Sequence, residues 1–222
     1  GYAYTHADLY DGSRIKVNSG KLGLYATAFG SGFYLDTAVV GGLSGYDTRR
    51  VAVEGSARGE TLGGDLNVLL AGGYDWKKGG FIIGPTASFQ YTLVGFDDFS
   101  ESGSLAPLQY PSQNAESFRT AFGMRALYDW KIGPIRLVPE LRLAWQHEFG
   151  ETDYALVSSF ANGAGNSFTV HGPAIGRDSM LLGAGFAIHW TDRVSTYAYY
   201  DGELFRTNYL SNNVSAGFRV AF

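Results

Sequence analysis

Asn213-Val214-Ser215-Ala216-Gly217-Phe218-Arg219-Val220-Ala221-Phe222 closes the chain with an unbroken alternation. Val214, Ala216, Phe218, Val220 and Phe222 share one face. Asn213, Ser215, Gly217, Arg219 and Ala221 share the other. A period of two is that of a strand with one face in an apolar medium.

The same split recurs upstream. Met180, Leu182, Ala184, Phe186, Ile188 and Trp190 alternate with Ser179, Leu181, Gly183, Gly185, Ala187 and His189. Ile135, Leu137, Pro139, Leu141, Leu143 and Trp145 alternate with Arg136, Val138, Glu140, Arg142, Ala144 and Gln146. Residues 118–130, 81–93 and 62–76 obey the pattern, and 33–43, 22–29 and 194–204 carry weaker copies. With 1–9 as an opening strand, ten strands are readable. Short connections fall at 30–32, 77–80, 131–134 and 191–193, and longer polar ones are expected over 46–61, 96–116, 148–177 and 205–212.

A soluble sandwich also alternates, so strand length and aromatic placement decide. These segments run to about 9–13 residues, against roughly 9–11 for a tilted membrane crossing and about 5–6 for an ordinary soluble strand. Phe29, Trp76, Trp130 and Trp190 each directly precede a short turn. An amphipathic indole belongs at headgroup level, so these residues form an expected aromatic girdle at one rim, with Trp145 and Tyr200 at the other. The expected fold is an all-β, antiparallel, up-and-down transmembrane β-barrel, with short turns on the periplasmic side and long loops outside.

Composition agrees. Glycine makes up 31 of 222 residues and aromatics 15%, while mean hydropathy is only -0.08. No stretch approaches the ~18 consecutive apolar residues of a membrane helix. The absence of cysteine excludes disulfides and thiolate chemistry. A net charge of -4 with scattered Lys and Arg excludes a nucleic-acid interface.

Asp65, Asp75, Arg119, Arg125, Asp129, Glu140, Arg142 and Arg219 lie on the polar face, as lumen charges that need pairing or hydration. Glu140 and Arg142 point to one interior side and are expected to make cross-strand ion pairs. Pro85 and Pro139 fall mid-pattern on the apolar face, where a missing N–H points to bulges. His6, His147, His171 and His189 show no metal-site spacing. His147 has the outward parity of Trp145 and reads as girdle. Asp97, Asp98, Glu148, Glu151 and Asp153 read as solvated loop charges, and Gly163-Ala164-Gly165 as loop glycines. No catalytic, metal or cofactor-binding residue is named, and the chain is not expected to be an enzyme.

The end of the tail, with Ser215, Gly217, Val220 and Phe222 in register, resembles the β-signal read by the barrel assembly machinery, an amphipathic edge strand suited to β-augmentation. Four further blocks resemble the β-domain of type V autotransporters: Tyr46-Asp47-Thr48-Arg49-Arg50, Pro139-Glu140-Leu141-Arg142-Leu143-Ala144-Trp145-Gln146-His147-Glu148-Phe149, the run 168–179 and Tyr200-Asp201-Gly202-Glu203-Leu204. That resemblance implies a monomeric twelve-stranded barrel whose pore holds a linker helix, through which an N-terminal passenger reaches the cell surface. Implied partners are the lipid bilayer and lipopolysaccharide, the assembly machinery, and the chain's own passenger or linker helix. Gly1-Tyr2-Ala3-Tyr4-Thr5 resembles the second half of the family's third strand, so residues 1–222 are expected to form the barrel domain without its first strands, helix and passenger. The alternatives are an outer-membrane barrel enzyme of lipase or protease type, a pore without passenger, and a soluble ligand-binding β-domain.

Overall fold

A computed structural model describes residues 1–163 and 165–221. Phe222, the end of the expected β-signal, and Ala164 lie outside the described residues. The strands are β1 (Tyr2–Asp8), β2 (Arg14–Gly30), β3 (Phe33–Ala52), β4 (Gly55–Tyr74), β5 (Trp76–Lys78), β6 (Phe81–Phe96), β7 (Phe99–Ser100) and β8 (Leu108–Tyr110). They continue with β9 (Gln113–Tyr128), β10 (Trp130–Ile132), β11 (Ile135–Glu148), β12 (Ala155–Phe160), β13 (Phe168–His171), β14 (Asp178–His189), β15 (Val194–Arg206) and β16 (Tyr209–Val220).

One antiparallel sheet follows the order β1-β2-β3-β4-β6-β9-β11-β14-β15-β16, with β5 attached to β6 and β10 to β11. Each long strand pairs with its sequence neighbour, the up-and-down pattern. Among the described residues β1 and β16 each have one neighbour, which leaves two free edges. Charged side chains two or three strands apart touch across one face, as Lys21 on β2 does with Asp65 on β4 and Arg142 on β11 with Asp201 on β15, at 2.7 and 2.9 Å. Strands two apart in a flat sheet are separated by nearly 10 Å. Tyr34 and Asp36 of β3 and Ser211 and Asn213 of β16, seven places apart in that order, line one cavity, so the polar face is concave and the sheet is part of a barrel wall.

Few apolar side chains are buried: Ala57, Tyr110 and Ala121 are, whereas Leu66, Leu70, Phe122, Leu141, Leu143 and Phe186 lie exposed on the convex face. Burial is inverted relative to a soluble protein, because the medium around the convex face is lipid.

The two prolines do not make bulges. β4 pairs with β6 from Gly63↔Phe96 to Gly73↔Thr86, and β5 resumes at Trp76↔Ile83 in the same register. The unpaired step falls at Pro85, which has no N–H to give Tyr74. Pro139 does the same between β9 and β10, where Leu127↔Glu140 gives way to Trp130↔Leu137. In both gaps the following aspartate turns its N–H to the other neighbour, Asp75 to Gly32 at 2.8 Å and Asp129 to Gly80 at 2.7 Å.

The outer end differs most from the sequence expectation. Residues 46–61 are not a loop. β3 and β4 stay paired through them to Ala52↔Gly55, and Glu54 and Gly55 turn the hairpin with φ of 52° and 128°. Both faces there stand above lipid and are polar, so no alternation announces the strand. The expected loops at 96–116 and 148–177 carry β7, β8, β12 and β13, which form a second sheet in the order β13-β12-β8-β7. Gln113 ties it to the barrel, donating to Val157 O and accepting from Val157 N at 3.0 and 2.8 Å.

Candidate functional site: the charged concave face

Side-chain parity carries every candidate lumen charge except Arg219 into a pair. Asp65 takes Lys21. Asp75, set in the gap opposite Pro85, accepts from both Nε and Nη2 of Arg125 at 2.8–3.0 Å. The Arg125 guanidinium also lies over the Tyr34 ring at 3.8 Å, a cation–π contact. Asp129, in the gap opposite Pro139, meets Arg136 at 2.7 Å. The cross-strand expectation holds for Arg142, whose stronger partner is Asp201 on β15. It is corrected for Glu140, which lies 3.6 Å from Arg142 on its own strand and, among the described residues, forms no ion pair with Arg119 or Arg125. Arg219 is exposed and forms no ion pair among the described residues.

Nearer the outer mouth the network is buried. Glu148 is 1% exposed and accepts from Ser117 Oγ (2.6 Å), Arg119 Nε (2.8 Å), and the N–H groups of Phe118 and Gly150. Arg206 lies beside it, bound to Gly176 O at 2.6 Å and Glu203 at 3.2 Å, with Nη2 3.7 Å from Glu148 and no hydrogen bond of its own. Gln146 bridges Ser179 and Glu203. Glu148 is thus a correction to the solvated-loop expectation. As the last residue of β11 it keeps the inward parity of Glu140 and Arg142. A buried carboxylate is tolerated because each oxygen is hydrogen-bonded and cations flank it.

Lys21, Arg136, Asp201, Glu203 and Arg206 were missing from the sequence-derived set. Asp201 and Glu203 continue the inward parity of β15, and Lys21 that of β2, so extending the alternation past the apolar residues would have found them. Arg206 follows a break in the β15–β16 register, and no periodic signal points to it. Between these groups the concave face bounds a cavity of about 710 Å³, lined by Tyr34, Arg125, Glu140, Arg142, Asp201 and Glu203 among others.

The convex face carries the aromatic rims. Trp76, Trp130 and Trp190 are 45–54% exposed beside short turns. Tyr74 packs edge-on to Trp76 and Phe33, and Tyr128 to Trp130. Phe29 is a correction: it pairs with Tyr34 and so shares the concave face. Leu22 and Leu24 point outward on the same unbroken strand, which turns an odd-numbered residue inward. Phe33 takes the outward place. Toward the outer end Trp145 donates to Asp178 at 3.0 Å and Tyr200 donates to Asn212 at 2.6 Å. In the tail, Ser215 and Gly217 face inward opposite Tyr199 and Tyr197, and Val220 pairs with Val194.

Above the barrel, Arg50 on β3 grips Glu101 through two hydrogen bonds and donates to Ala106 O. Hydrogen bonding to Glu101 raises the Arg50 pKa, and burial beside Glu101 raises that of Tyr110. His147 lies 2.9 Å from Asp178 and packs against Trp145 and Phe149 on the convex face. Among the described residues no serine is hydrogen-bonded to it, and no three His, Asp or Glu side chains converge as a metal site.

A family model described as the autotransporter beta-domain matches residues 1–201. Two curated relatives, each named extracellular serine protease and from Serratia marcescens, are 25% and 26% identical over 155 residues. The match takes in 70% of this chain and 15% of each relative, so the chain spans only a small part of their length. Among solved structures, the translocator domain of the autotransporter NalP from Neisseria meningitidis superposes with a TM-score of 0.72 at 15% identity. That alignment covers 95% of this chain and 68% of the other, and it speaks to the fold alone.

Proposed function

The chain belongs to the autotransporter β-domain family of the bacterial outer membrane, and from that premise we propose that it anchors an N-terminal passenger and helps export it to the cell surface. The observation that carries this is the division of one sheet into a convex face for lipid and a concave face of paired charges around about 710 Å³. A polypeptide or helix in such a lumen exchanges hydrogen bonds with fixed, mostly paired groups rather than sticking to an apolar wall. The free edges of β1 and β16 are where further strands of a twelve-stranded ring would pair. Ser215, Gly217, Val220 and Phe222 would act as the signal for the assembly machinery.

In this reading the chain is a conduit and not the catalyst. The protease activity in the names of the Serratia marcescens relatives belongs to proteins of which the chain matches 15%. The test is Arg142→Ala in a full-length protein, with barrel folding followed by heat-dependent gel migration and passenger followed at the cell surface. The expected result is normal barrel yield with reduced surface passenger. Normal display in Arg142→Ala and in Arg125→Ala would reject a role of the lumen charges in export, whereas no passenger at the surface with the unaltered barrel would favour a pore without passenger.

A further inference from the structure

Three arginines stand abreast on the convex side of the outer end of the sheet. The register sets Arg14 of β2 opposite Arg49 of β3, and Arg49 opposite Arg58 of β4. All three are exposed and share the outward parity of Leu22, Leu43 and Leu62 on their own strands. Like charges directly opposed in a ladder destabilise it, so the row calls for counter-charge. Asp8 supplies some: it pairs with Arg14 across β1 and accepts from Nε at 2.9 Å. Arg49 and Arg58 have no ion pair or side-chain hydrogen bond among the described residues. The row beneath is mixed, with His6, Lys16, Asp47 and Glu60 side by side, so the missing anion belongs to the arginine row.

Height identifies the anion. Leu62, 67% exposed, is the uppermost outward leucine of β4, and Arg58 lies four residues beyond it. At roughly 3.3 Å per residue and a tilt of about 45°, the row stands roughly 9 Å above the apolar band, in reach of the headgroup layer. The headgroups on the long-loop side of an outer membrane are those of lipopolysaccharide, which bear phosphates. Planar guanidinium groups bind phosphate oxygens bidentately, and three in line offer several such forks at fixed spacing. We propose that Arg14, Arg49 and Arg58 form a phosphate-binding row for lipopolysaccharide on the outer face of this barrel.

The proposal rests on outer-membrane placement and not on passenger export. The full-length protein, folded in detergent, is titrated with lipid A carrying its phosphates and with the same lipid after their enzymatic removal, and heat-dependent unfolding is followed. The phosphorylated lipid should raise the unfolding temperature, and the dephosphorylated lipid should not. Arg49→Gln with Arg58→Gln should need about tenfold more phosphorylated lipid for the same shift, while Arg49→Lys with Arg58→Lys retains most of the response. Equal shifts from the two lipids, or an unchanged titration in the double glutamine variant, would overturn it. Both residues stand outside lipid, and each single glutamine variant is read by the same criterion should the double variant fail to fold. Lost surface display with an intact lipid response would count against export alone.

Discussion

The lower and upper parts of the β3–β4 hairpin share one ladder but not one chemistry. From Phe33↔Tyr74 to Gly45↔Leu62 the outward residues are mostly apolar and the inward ones small or polar. From Tyr46↔Thr61 to Ala52↔Gly55 the pairing continues without a shift while charge appears on both faces. Lipid, not hydrogen bonding, therefore produces the alternation. Where lipid ends, the strand persists and its signature disappears. Stability must come from different sources at the two heights of the wall: lipid contact below, and above it the second sheet held to β3 by Arg50 and Glu101 and, against β9, β11 and β15, the network of Glu148 and Arg206.

The sharpest break in that comparison is expected at Glu148. Glu148→Ala leaves Arg206, whose side chain is fully buried, with Glu203 as its remaining carboxylate partner and removes an acceptor from Arg119. Taking one member from a buried ion pair costs about 3–5 kcal/mol. Denaturant unfolding of the folded barrel should show a loss of that size, together with faster proteolysis of 149–177. A loss below about 1 kcal/mol would mean that water replaces the carboxylate and that the upper region has no buried core.

Next in size is Leu66→Arg, on the convex face at mid-membrane height, where a cation costs roughly 2–4 kcal/mol. Its counterpart in the upper hairpin, Arg49→Leu, should change stability by no more than about 0.5 kcal/mol in lipid-free detergent. Equal losses at the two positions would erase the boundary between the regions.

The smallest effect is expected from Pro139→Ala. It supplies an N–H in the gap between β9 and β10 at unchanged register, so a gain of up to about 1 kcal/mol is available, measured by the same unfolding transition. A loss instead would show that the gap is needed to hold Asp129 against Arg136.

Much of this was legible in the residues. The lipid faces of β6, β9, β11, β14 and β16 follow from a period of two that each strand carries locally, and the short turns from the glycines and tryptophans beside them. Phe29 precedes a turn as the tryptophans do, but its parity relative to Leu22 and Leu24 turns it inward, and parity outranks position. Glu148 and the hairpin at 46–61 are not legible in the same way, because polar residues beyond the membrane have the pattern of a loop.

The sequence alone determined which way each side chain of the membrane-height strands points, since facing depends only on neighbours along the chain. It also determined that one face meets lipid, since alternation over segments long enough for a tilted crossing, with tryptophans beside the short turns, does not suit an ordinary soluble sandwich. Only the tertiary structure decided which charges meet. Arg119 on β9 approaches Glu203 on β15 at 3.8 Å, and Lys21 reaches over β3 to Asp65. Such pairs depend on curvature summed over several strands and on stagger between them, and neither quantity is written in any one segment.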